Sequence, residues 1–311
     1  MLQMEDIPRP VPASDEILVR IYASGINPVD WVIRDGSNEG FRSFLTLPLT
    51  LGWDAAGIVE ECGSDVSAFK IGDAVFGVPN FPGNGSYAEY VAAKATQFAL
   101  KPQQTGFNEA AAVPLAALTA WTGLYAHGHL KSGQRVFIQG ASGGVGSFAV
   151  QFAKSAGAYV IAMASTSNIE YLRELGADEV IDYKKQDFAE LLRDVDLVLE
   201  ASPVRDDISR LKSLGIIKEG GIFVSVNVDH PFTDAFTEAL SIKKLTGELA
   251  PNQPRQDWLQ TIAGLIDAGR VKVHLSKVYP FNQAAEAHRE SQSWHVRGKL
   301  VLELIKENET H

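Results

Sequence analysis

Short apolar runs separated by glycine, proline and asparagine dominate the first 107 residues of the chain. Runs of this length between turn-forming residues are typical of β-strands. We predict strands at residues 16–22, 56–60, 73–77 and 87–91. This spacing indicates a β-rich domain over residues 1–107.

From about residue 108 the pattern changes, because alanine-rich helical stretches begin to alternate with short apolar strands. The predicted strands lie at residues 135–139, 159–163, 197–200 and 222–226. Such alternation is typical of βαβ units, in which helices cover both faces of a parallel sheet. We therefore predict an α/β fold with a Rossmann-type, doubly wound parallel sheet over residues 108–249.

The last part of the chain, residues 250–311, is expected to return and complete the first domain. It carries predicted helices at residues 256–268 and 283–291 and a predicted strand at residues 299–304.

Composition narrows the class of protein. The chain of 311 residues is 45% hydrophobic and 21% charged, which is ordinary for a folded protein and long enough for two domains. Its formal net charge of −10 opposes binding to nucleic acid or to an anionic membrane, since both need clustered Lys and Arg.

An acidic N-terminal segment and the lack of a long apolar stretch predict a cytoplasmic protein without a membrane segment. With Cys62 as the only cysteine, neither an internal disulfide nor a multi-cysteine zinc site can form.

Residues 135–154 carry the most specific chemical signal, a strand that runs through a glycine-rich turn into a helix. In this context the turn predicts a dinucleotide site, because the helix N-terminus offers unpaired N–H groups to a pyrophosphate. Gly143 would let the backbone approach the pyrophosphate, and Gly146 would let the helix pack closely on the strand. The alternative is a tight turn without a ligand. The predicted cofactor-binding residues of the turn are Gly140, Ala141, Ser142, Gly143, Gly144, Val145 and Gly146.

The end of the second Rossmann strand bears on the choice between NADPH and NADH. An Asp or Glu there would bind the adenosine ribose and repel a 2′-phosphate. This sequence has Ser165, Thr166 and Ser167 instead, whose hydroxyl groups can donate to phosphate oxygens. We therefore predict NADPH as the cofactor, although the same residues can also cap the next helix.

Eight motifs lie in order along nearly the whole chain. They occupy residues 25–31, 51–59, 69–77, 85–91, 116–121, 135–154, 175–183 and 297–302. Together they resemble the zinc-free quinone oxidoreductases (zeta-crystallin-like) of the medium-chain dehydrogenase/reductase superfamily. Eight motifs in the right order are far more specific than any one of them.

The resemblance implies a GroES-like β domain, a Rossmann domain, and a cleft between them for the nicotinamide and the substrate. It also implies a homodimer through the outer strand of the Rossmann sheet, which we expect near residues 222–226. By similarity, Asn27 and Thr119 would lie beside the nicotinamide, Tyr183 near the adenosine phosphate, and Lys299 among the cofactor-binding residues.

The chain also departs from the family pattern. Members that prefer NADPH often carry a lysine at the position of Asn168. The opening strand pair of the family is shortened, because the chain begins at what looks like the second half of that pair.

Zinc is not expected. The positions that hold catalytic zinc in alcohol dehydrogenases of this superfamily are here Asn27, Trp53 and Leu115, and none of them replaces a thiolate or an imidazole. The seven histidines show no ligand spacing. Without a Lewis acid the chemistry favours electron-poor acceptors, whose reduction needs only an aligned hydride and a proton.

The sequence therefore predicts an NADPH-dependent reductase of quinones or similar electron-poor carbonyl compounds. Asn27 would place the nicotinamide carboxamide or polarise the acceptor carbonyl, or it is only a turn residue. Trp53 and Phe81 are candidates for the acceptor pocket, although such rings are more often part of a core. Asp30 is expected to pair with Arg34, one helical turn later.

Two other functions fit the same residues. A 2-alkenal or enoyl reductase, which acts on the C=C bond of an α,β-unsaturated carbonyl, shares the fold, the cofactor and the hydride geometry. A non-catalytic sensor protein would bind NADPH without turning it over. The sequence names no proton donor.

Overall fold

The computed structural model describes residues 2–36, 39–43 and 45–306, with residues 39 and 41 described by their backbone alone. The chain forms two compact units. Unit 1 runs to Leu118 and resumes at Pro254, and unit 2 comprises Thr119–Gln253. Among the described residues, no helix combines the length and the apolar character that a membrane span requires.

The elements are numbered in chain order. The strands are β1 (Glu16–Ile26), β2 (Ala55–Cys62), β3 (Ala74–Gly77), β4 (Tyr90–Lys94), β5 (Phe98–Leu100), β6 (Arg135–Gln139), β7 (Tyr159–Ala164), β8 (Glu179–Asp182), β9 (Val195–Glu200), β10 (Ile217–Ser225), β11 (Thr246–Leu249), β12 (Leu275–Pro280) and β13 (Lys299–Glu303). The helices are α1 (Pro28–Asp35), α2 (Glu39–Arg42), α3 (Phe107–Ala111), α4 (Pro114–Trp121), α5 (Gly144–Ser155), α6 (Ile169–Glu174), α7 (Phe188–Leu191), α8 (Asp207–Leu214), α9 (Asp234–Ile242), α10 (Gln256–Asp267) and α11 (Ala284–Gln292). A π-helical turn, Thr122–His127, follows α4 directly.

Unit 1 is built around a mainly antiparallel sheet in the order β12-β13-β1-β2-β3-β5, with β4 also paired to β1. Ile17, Val19 and Ile21 of β1 are buried in its core, because alternate side chains of a strand share one face. The first motif residue, Gly25, lies where α3 crosses this strand. A Cβ atom there would come within 2.3 Å of the Ala111 carbonyl oxygen, so only glycine allows the approach.

The strand predicted at residues 87–91 is displaced to β4, Tyr90–Lys94. The reason is that the backbone just before β4 forms hydrogen bonds with the loop that precedes β2. Ser86 N–H donates to the Gly52 carbonyl at 2.7 Å and Tyr87 N–H donates to the Leu51 carbonyl at 2.8 Å. Ser86 and Tyr87 are therefore held to the loop before β2, and contact with β1 begins only at Glu89, whose carbonyl accepts the Ile21 N–H at 2.9 Å.

Unit 2 contains a parallel sheet in the order β11-β10-β9-β6-β7-β8. The chain passes from β6 through β7 to β8 on one side and then crosses to β9 on the other side of β6. Ligands of doubly wound sheets bind outside the carboxyl ends of the strands at such a reversal. The alternation predicted from the sequence is confirmed, and the loop after β6 lies at the reversal.

Two sequence predictions about unit 2 are wrong in detail. Residues 222–226, expected at the outer edge of the sheet, lie in and just after β10, which pairs with β9 on one side and with β11 on the other. The outer strand on this side of the sheet is β11, a four-residue strand that was not predicted. The domain boundary expected at residues 107/108 falls at Leu118, since the alanine-rich α3 packs on β1, β2 and β13 of unit 1. The second boundary falls at Gln253, not at residue 249.

Candidate active site

The turn between β6 and α5, residues 140–146, is the glycine turn. Gly140 has φ of +70°, and a Cβ atom there would come within 2.5 Å of the Ala201 carbonyl oxygen. A Cβ atom at Gly146 would come within 2.2 Å of the Gly140 carbonyl oxygen. Both glycines are therefore required by the backbone of the chain itself, and Gly146 brings α5 close to the strand as expected.

Gly143 differs from these two glycines. It has an ordinary φ of −77°, and a Cβ atom there would meet only the Gly140 carbonyl oxygen, at 3.5 Å. It is the N-cap residue of α5, and among the described residues no side chain makes a capping hydrogen bond to this helix. The N–H groups of the first turn, at Gly144, Val145 and Gly146, thus face a partly exposed turn without a side-chain partner. Such a helix N-terminus suits the anionic oxygens of a dinucleotide diphosphate.

The other residues of the glycine turn support its shape. Ala141 is fully buried, and its N–H donates to the Met163 carbonyl at 3.2 Å. The Ser142 hydroxyl accepts a hydrogen bond from the Asn168 side chain at 3.1 Å. This bond ties the turn to the segment after β7, so two of the predicted cofactor-binding regions lie side by side.

A carboxylate that was not predicted lies beside the segment after β7. Asp182, at the end of the neighbouring strand β8, accepts a hydrogen bond from the Thr166 hydroxyl at 2.5 Å and another from the Lys184 N–H at 3.1 Å. The Thr166 hydrogen bond is the main cause that lowers the pKa of Asp182. The Thr166 hydroxyl proton is therefore already used in the hydrogen bond to Asp182, so it is not available for a phosphate as predicted.

Ser165 and Ser167 lie on either side of Thr166. Their hydroxyl oxygens lie 3.3 Å apart, and Ser165 also accepts from Asn168 at 3.2 Å. Tyr183 follows β8 and is 52% exposed. Thr119, at the start of unit 2, is buried and accepts a hydrogen bond from the Asn252 side chain at 3.0 Å.

In unit 1, Asn27, Asp54 and Lys299 form the amide network. The Asn27 side chain donates through Nδ2 to Asp54 Oδ2 at 2.8 Å and accepts through Oδ1 from Lys299 Nζ at 2.5 Å. Lys299 also donates to Asp54 Oδ2 at 3.0 Å. All three residues are buried, with Asn27 only 2% exposed. The amide is therefore fixed in orientation, and its second Nδ2–H has no partner within the described part of the chain.

The amide network is itself anchored by the backbone. Asp54 Oδ1 accepts from the Leu115 N–H at 2.6 Å, and the Asp54 carbonyl accepts from Ser24 and Ser86, each at 2.8 Å. Lys299 makes its third hydrogen bond to the Ile26 carbonyl at 3.0 Å. All three Nζ protons of Lys299 are thus used within unit 1, so this predicted cofactor-binding residue orients Asn27 and has no proton left for a cofactor oxygen.

Asp30 does not pair with Arg34, so that prediction is wrong. Arg34 binds Asp35 at 2.6 Å, and the Asp30 carboxylate is fully buried. Its Oδ2 atom accepts from the Asn27 backbone N–H at 2.7 Å and from the Tyr87 hydroxyl at 3.1 Å. Burial raises the pKa of Asp30 to about 7.

Tyr87 continues the contacts of Asp30 to α11. Its hydroxyl lies 3.1 Å from Nε2 of His288, whose Nδ1 lies 3.2 Å from Arg34 Nη1. Burial lowers the pKa of His288 to about 4, so its ring is neutral near pH 7. Burial also raises the pKa of Tyr87. We call Asp30, Tyr87, His288 and Arg34 the carboxylate chain.

The two aromatic candidates for an acceptor pocket differ from each other. Trp53 is fully buried, and its Nε1 donates to the Gly83 carbonyl at 2.9 Å. Phe81 packs edge-on against it with ring centroids 5.2 Å apart and is 40% exposed. Trp53 is thus a core residue that supports Phe81, and of these two residues Phe81 is the one exposed at the surface.

The zinc-equivalent positions carry no metal ligands. Asn27 belongs to the amide network, Trp53 to the core, and Leu115 contributes its backbone N–H to Asp54. Within the part of the chain that the structure describes, no group of three or more His, Cys, Asp or Glu side chains is arranged to hold a metal ion.

Several site residues escaped the sequence analysis, namely Asp54, Tyr87, Asp182 and His288. Asp54 and Tyr87 stand inside two of the eight motifs, and Asp182 stands in a third. A polar residue adjoining a buried strand was the available signal, since Asp54 directly precedes β2 and Asp182 ends β8. His288 had no comparable signal, since a helical histidine is usually exposed or simply hydrogen-bonded.

Two family models match the chain. The alcohol dehydrogenase GroES-like domain matches residues 13–103, and the zinc-binding dehydrogenase model matches residues 175–302. These matches fall on the β-rich unit and on the later part of the chain.

Individual relatives are similar along nearly the whole chain. The chloroplast envelope quinone oxidoreductase homolog of Arabidopsis thaliana is 34% identical over 318 residues, covering 97% of this chain and 94% of the relative. The 2-methylene-furan-3-one reductase of Solanum lycopersicum is 33% identical over 307 residues, covering 94% of this chain and 72% of the relative. The solved quinone oxidoreductase of Coxiella burnetii has a TM-score of 0.88 and 32% identity, covering 97% of this chain and 94% of that one. The resemblance and the fold class predicted from the sequence are confirmed.

Proposed function

The chain belongs to the quinone oxidoreductase branch of the medium-chain dehydrogenase/reductase superfamily, and on that premise we propose that it transfers a hydride from NADPH to a quinone or a similar electron-poor carbonyl acceptor without zinc. It is an oxidoreductase that uses a nicotinamide cofactor. The choice of NADPH, the class of acceptor and the residue roles below belong to the proposal.

The observation that carries the cofactor proposal is the contrast within the glycine turn. Gly140 and Gly146 are required by the chain's own backbone, whereas Gly143 has free space where a Cβ atom would stand. A glycine that the fold does not require, at the N-cap of a helix without a capping side chain, supports close approach of a ligand backbone. We assign the diphosphate of the cofactor to the N–H groups of Gly144, Val145 and Gly146.

The amide network supports a role for Asn27 in the reaction. Lys299 and Asp54 fix the amide from both ends and leave one N–H bond for another partner. We assign that N–H bond to the nicotinamide carboxamide or to the acceptor carbonyl, where a donor held in place stabilises developing negative charge. The bound cofactor supplies the hydride.

The donor set supports zinc-free chemistry. An amide, a buried indole and a leucine stand at the positions that would hold the metal, and none is a zinc ligand. Reduction of a quinone or an enone requires an aligned hydride and a proton and no Lewis acid.

The proposal of NADPH over NADH rests on Ser165. No carboxylate stands at this residue, and the nearby Asp182 carboxylate is occupied by Thr166 and the Lys184 N–H. Ser165→Asp should weaken NADPH binding at least about tenfold and leave NADH binding within about twofold, because a 2′-phosphate with about two negative charges is repelled by a carboxylate about 4 Å away by about 2 kcal/mol even in water.

A matched control is Ser132→Asp, which adds the same charge at an exposed residue before the amino end of β6. Calorimetry should show no change in its affinity for either cofactor. Equal effects of both substitutions on NADPH binding would remove Ser165 from the phosphate site.

The acceptor is tested by a panel of quinones and α,β-unsaturated carbonyl compounds, with oxidation of NADPH followed by absorbance. We expect turnover of quinones by the wild type and a kcat at least about tenfold lower in Asn27→Ala. Unchanged NADPH affinity in this variant would assign the Asn27 N–H to the acceptor carbonyl, and weakened affinity would assign it to the nicotinamide carboxamide. NADPH binding without turnover of any acceptor would instead support a sensor protein, and stoichiometric zinc in the purified protein would overturn the zinc-free assignment.

Reduction of a C=C bond is the second candidate, and the similarity to 2-methylene-furan-3-one reductase favours it. The two candidates differ in the product, since a quinone gives a hydroquinone and an enone gives a saturated ketone. Mass spectrometry of the panel products distinguishes them.

A further inference from the structure

Asp30 is tied directly to the residue that we propose for the reaction. It lies in the first turn of α1, and its Oδ2 atom accepts the Asn27 backbone N–H at 2.7 Å, while its own N–H donates to the Asn27 carbonyl at 3.0 Å. The bond from the Asn27 N–H to the Asp30 side chain is the N3 half of a capping box, which fixes the entry of the chain into a helix. The position of Asn27 before α1 therefore depends on the Asp30 carboxylate.

The hydrogen bonds of the carboxylate chain all donate in one direction. A guanidinium only donates, so Nδ1 of His288 accepts from Arg34 and Nε2 must carry the imidazole proton. Nε2 then donates to the Tyr87 oxygen, and the Tyr87 hydroxyl donates to Asp30 Oδ2. Every donor in the chain thus points toward the carboxylate of Asp30.

The carboxylate chain does not conduct protons from the solvent. Its outer end is Arg34, whose guanidinium does not release a proton in proteins. At the inner end, Asp30 Oδ1 is buried and has no hydrogen-bond partner among the described residues. The arrangement therefore fixes a charge and an orientation and does not relay a proton to a substrate.

We propose that Asp30 is a positioning residue for Asn27, and that Tyr87, oriented by His288 and Arg34, holds the Asp30 carboxylate in the form that accepts the Asn27 N–H. The inference rests on the proposed role of Asn27. Removal of the carboxylate loosens the start of α1 and lets the Asn27 amide leave the orientation that Lys299 and Asp54 define.

The charged groups around Asp30 make this positioning dependent on pH. Tyr87 and the Asn27 N–H donate to it, Lys299 stabilises its charge from β13, and Asp54 opposes its charge. Because burial outweighs the two donors and Lys299, the pKa of Asp30 is raised to about 7. Protonation below that pH removes the anionic acceptor of the Asn27 N–H, so kcat should rise with pH through a limb near 7.

The first test replaces Asp30 by asparagine, which keeps the shape and removes the charge. Asp30→Asn should lower kcat about tenfold to a hundredfold, leave the calorimetric affinity for NADPH unchanged, and abolish the limb near pH 7. Asp15→Asn, an exposed carboxylate of unit 1 that pairs with Lys94, is the matched control and should keep the wild-type profile. An Asp30→Asn enzyme with a wild-type limb would overturn the proposal.

The second variant, Tyr87→Phe, removes one donor and keeps the carboxylate. Since the Tyr87 hydroxyl lowers the pKa of Asp30, its loss should move the limb to higher pH, an effect that a merely structural tyrosine would not produce. An unmoved limb would contradict the assignment of Tyr87.

A readout without turnover separates this inference from the proposed function. The side-chain amide signal of Asn27 in nitrogen-15 NMR, assigned by its loss in Asn27→Ala, should titrate near pH 7 in the wild type and not in Asp30→Asn. If no acceptor is reduced but the signal titrates in this way, the proposed function fails and the positioning role stands. If acceptors are reduced and the signal does not titrate, the positioning role fails alone.

Discussion

The glycine turn of unit 2 and the amide network of unit 1 are built in opposite ways. The glycine turn offers main-chain N–H groups, and its shape requires glycine at two positions. A Cβ atom at Gly140 or Gly146 would come within 2.5 Å of a neighbouring backbone atom. The amide network consists of side chains that satisfy one another, with an ion pair of 3.0 Å between Lys299 and Asp54.

The difference teaches where each site is vulnerable. A main-chain site tolerates changes of side chain and fails when a methyl group intrudes. A buried ionic site tolerates no loss of a partner, because the remaining charge stays in a medium that does not solvate it. The predictions below set the two kinds of site against each other.

Lys299→Met should have the largest effect on stability. It leaves the Asp54 carboxylate fully buried without its cation, and breaking a buried pair in this way costs about 3–5 kcal/mol. The free energy of unfolding in urea measures the effect. A smaller loss is expected when Asp54→Asn is added, since the double variant leaves no unpaired charge.

The control is Lys94→Met, the same change at an exposed pair with Asp15, where both side chains are more than half exposed. It should change the free energy of unfolding by less than about 1 kcal/mol. Equal effects at Lys94 and Lys299 would mean that the amide network is no more sensitive than the surface.

The same contrast explains what the sequence could predict. The glycine turn is a local pattern of seven residues between a strand and a helix, so its elements and its glycines were readable. The amide network joins Asn27 to Lys299 across 272 positions, and no local pattern reports such a contact. Proximity along a helix predicted a pair between Asp30 and Arg34, but burial of Asp30 decided against it.

The carboxylate overlooked at Asp182 has the same origin. The family pattern places such a carboxylate at the end of β7, whereas this one comes from β8, which pairs with β7 so that Ala164 stands opposite Asp182. The edge position of β11 was likewise a property of the whole sheet. Strand existence follows from short patterns, and strand order follows from packing that those patterns do not contain.

The pH dependence of stability tests the carboxylate chain. Burial raises the pKa of Asp30 from 3.8 to about 7, so between these values the folded chain holds a proton that the unfolded chain lacks. This group therefore stabilises the fold as pH falls. Burial lowers the pKa of His288 from 6.5 to about 4, so between those values the unfolded chain holds the extra proton, and this group destabilises the fold as pH falls.

The two contributions oppose each other between about pH 4 and pH 6.5, each at up to about 1.4 kcal/mol per pH unit. Asp30→Asn leaves only the His288 contribution, so its unfolding free energy should fall relative to the wild type by about 3 kcal/mol from pH 6.5 to pH 4. His288→Gln should show the opposite trend, and the double variant should run parallel to the wild type. Urea unfolding at several pH values measures all four proteins, and parallel curves for the single variants would refute the assigned pKa shifts.

Two alanine substitutions in the glycine turn give the smallest and sharpest contrast. At Gly146 the new methyl group would meet the Gly140 carbonyl oxygen at 2.2 Å and Ala141 Cα at 2.5 Å, both of them backbone atoms, so unfolding should become easier by about 1–3 kcal/mol. At Gly143 the nearest atom lies at 3.5 Å and φ is −77°, so Gly143→Ala should change stability by less than about 1 kcal/mol.

Cofactor affinity should separate these two glycines further. The methyl group of Gly143→Ala occupies the space through which a diphosphate reaches the α5 N–H groups, so calorimetry should show NADPH binding weakened about tenfold or more in a fully folded protein. No change in NADPH affinity would mean that the free space at Gly143 serves no ligand. The main-chain site would then have to be sought at another turn, while the amide network of unit 1 would be unaffected by that result.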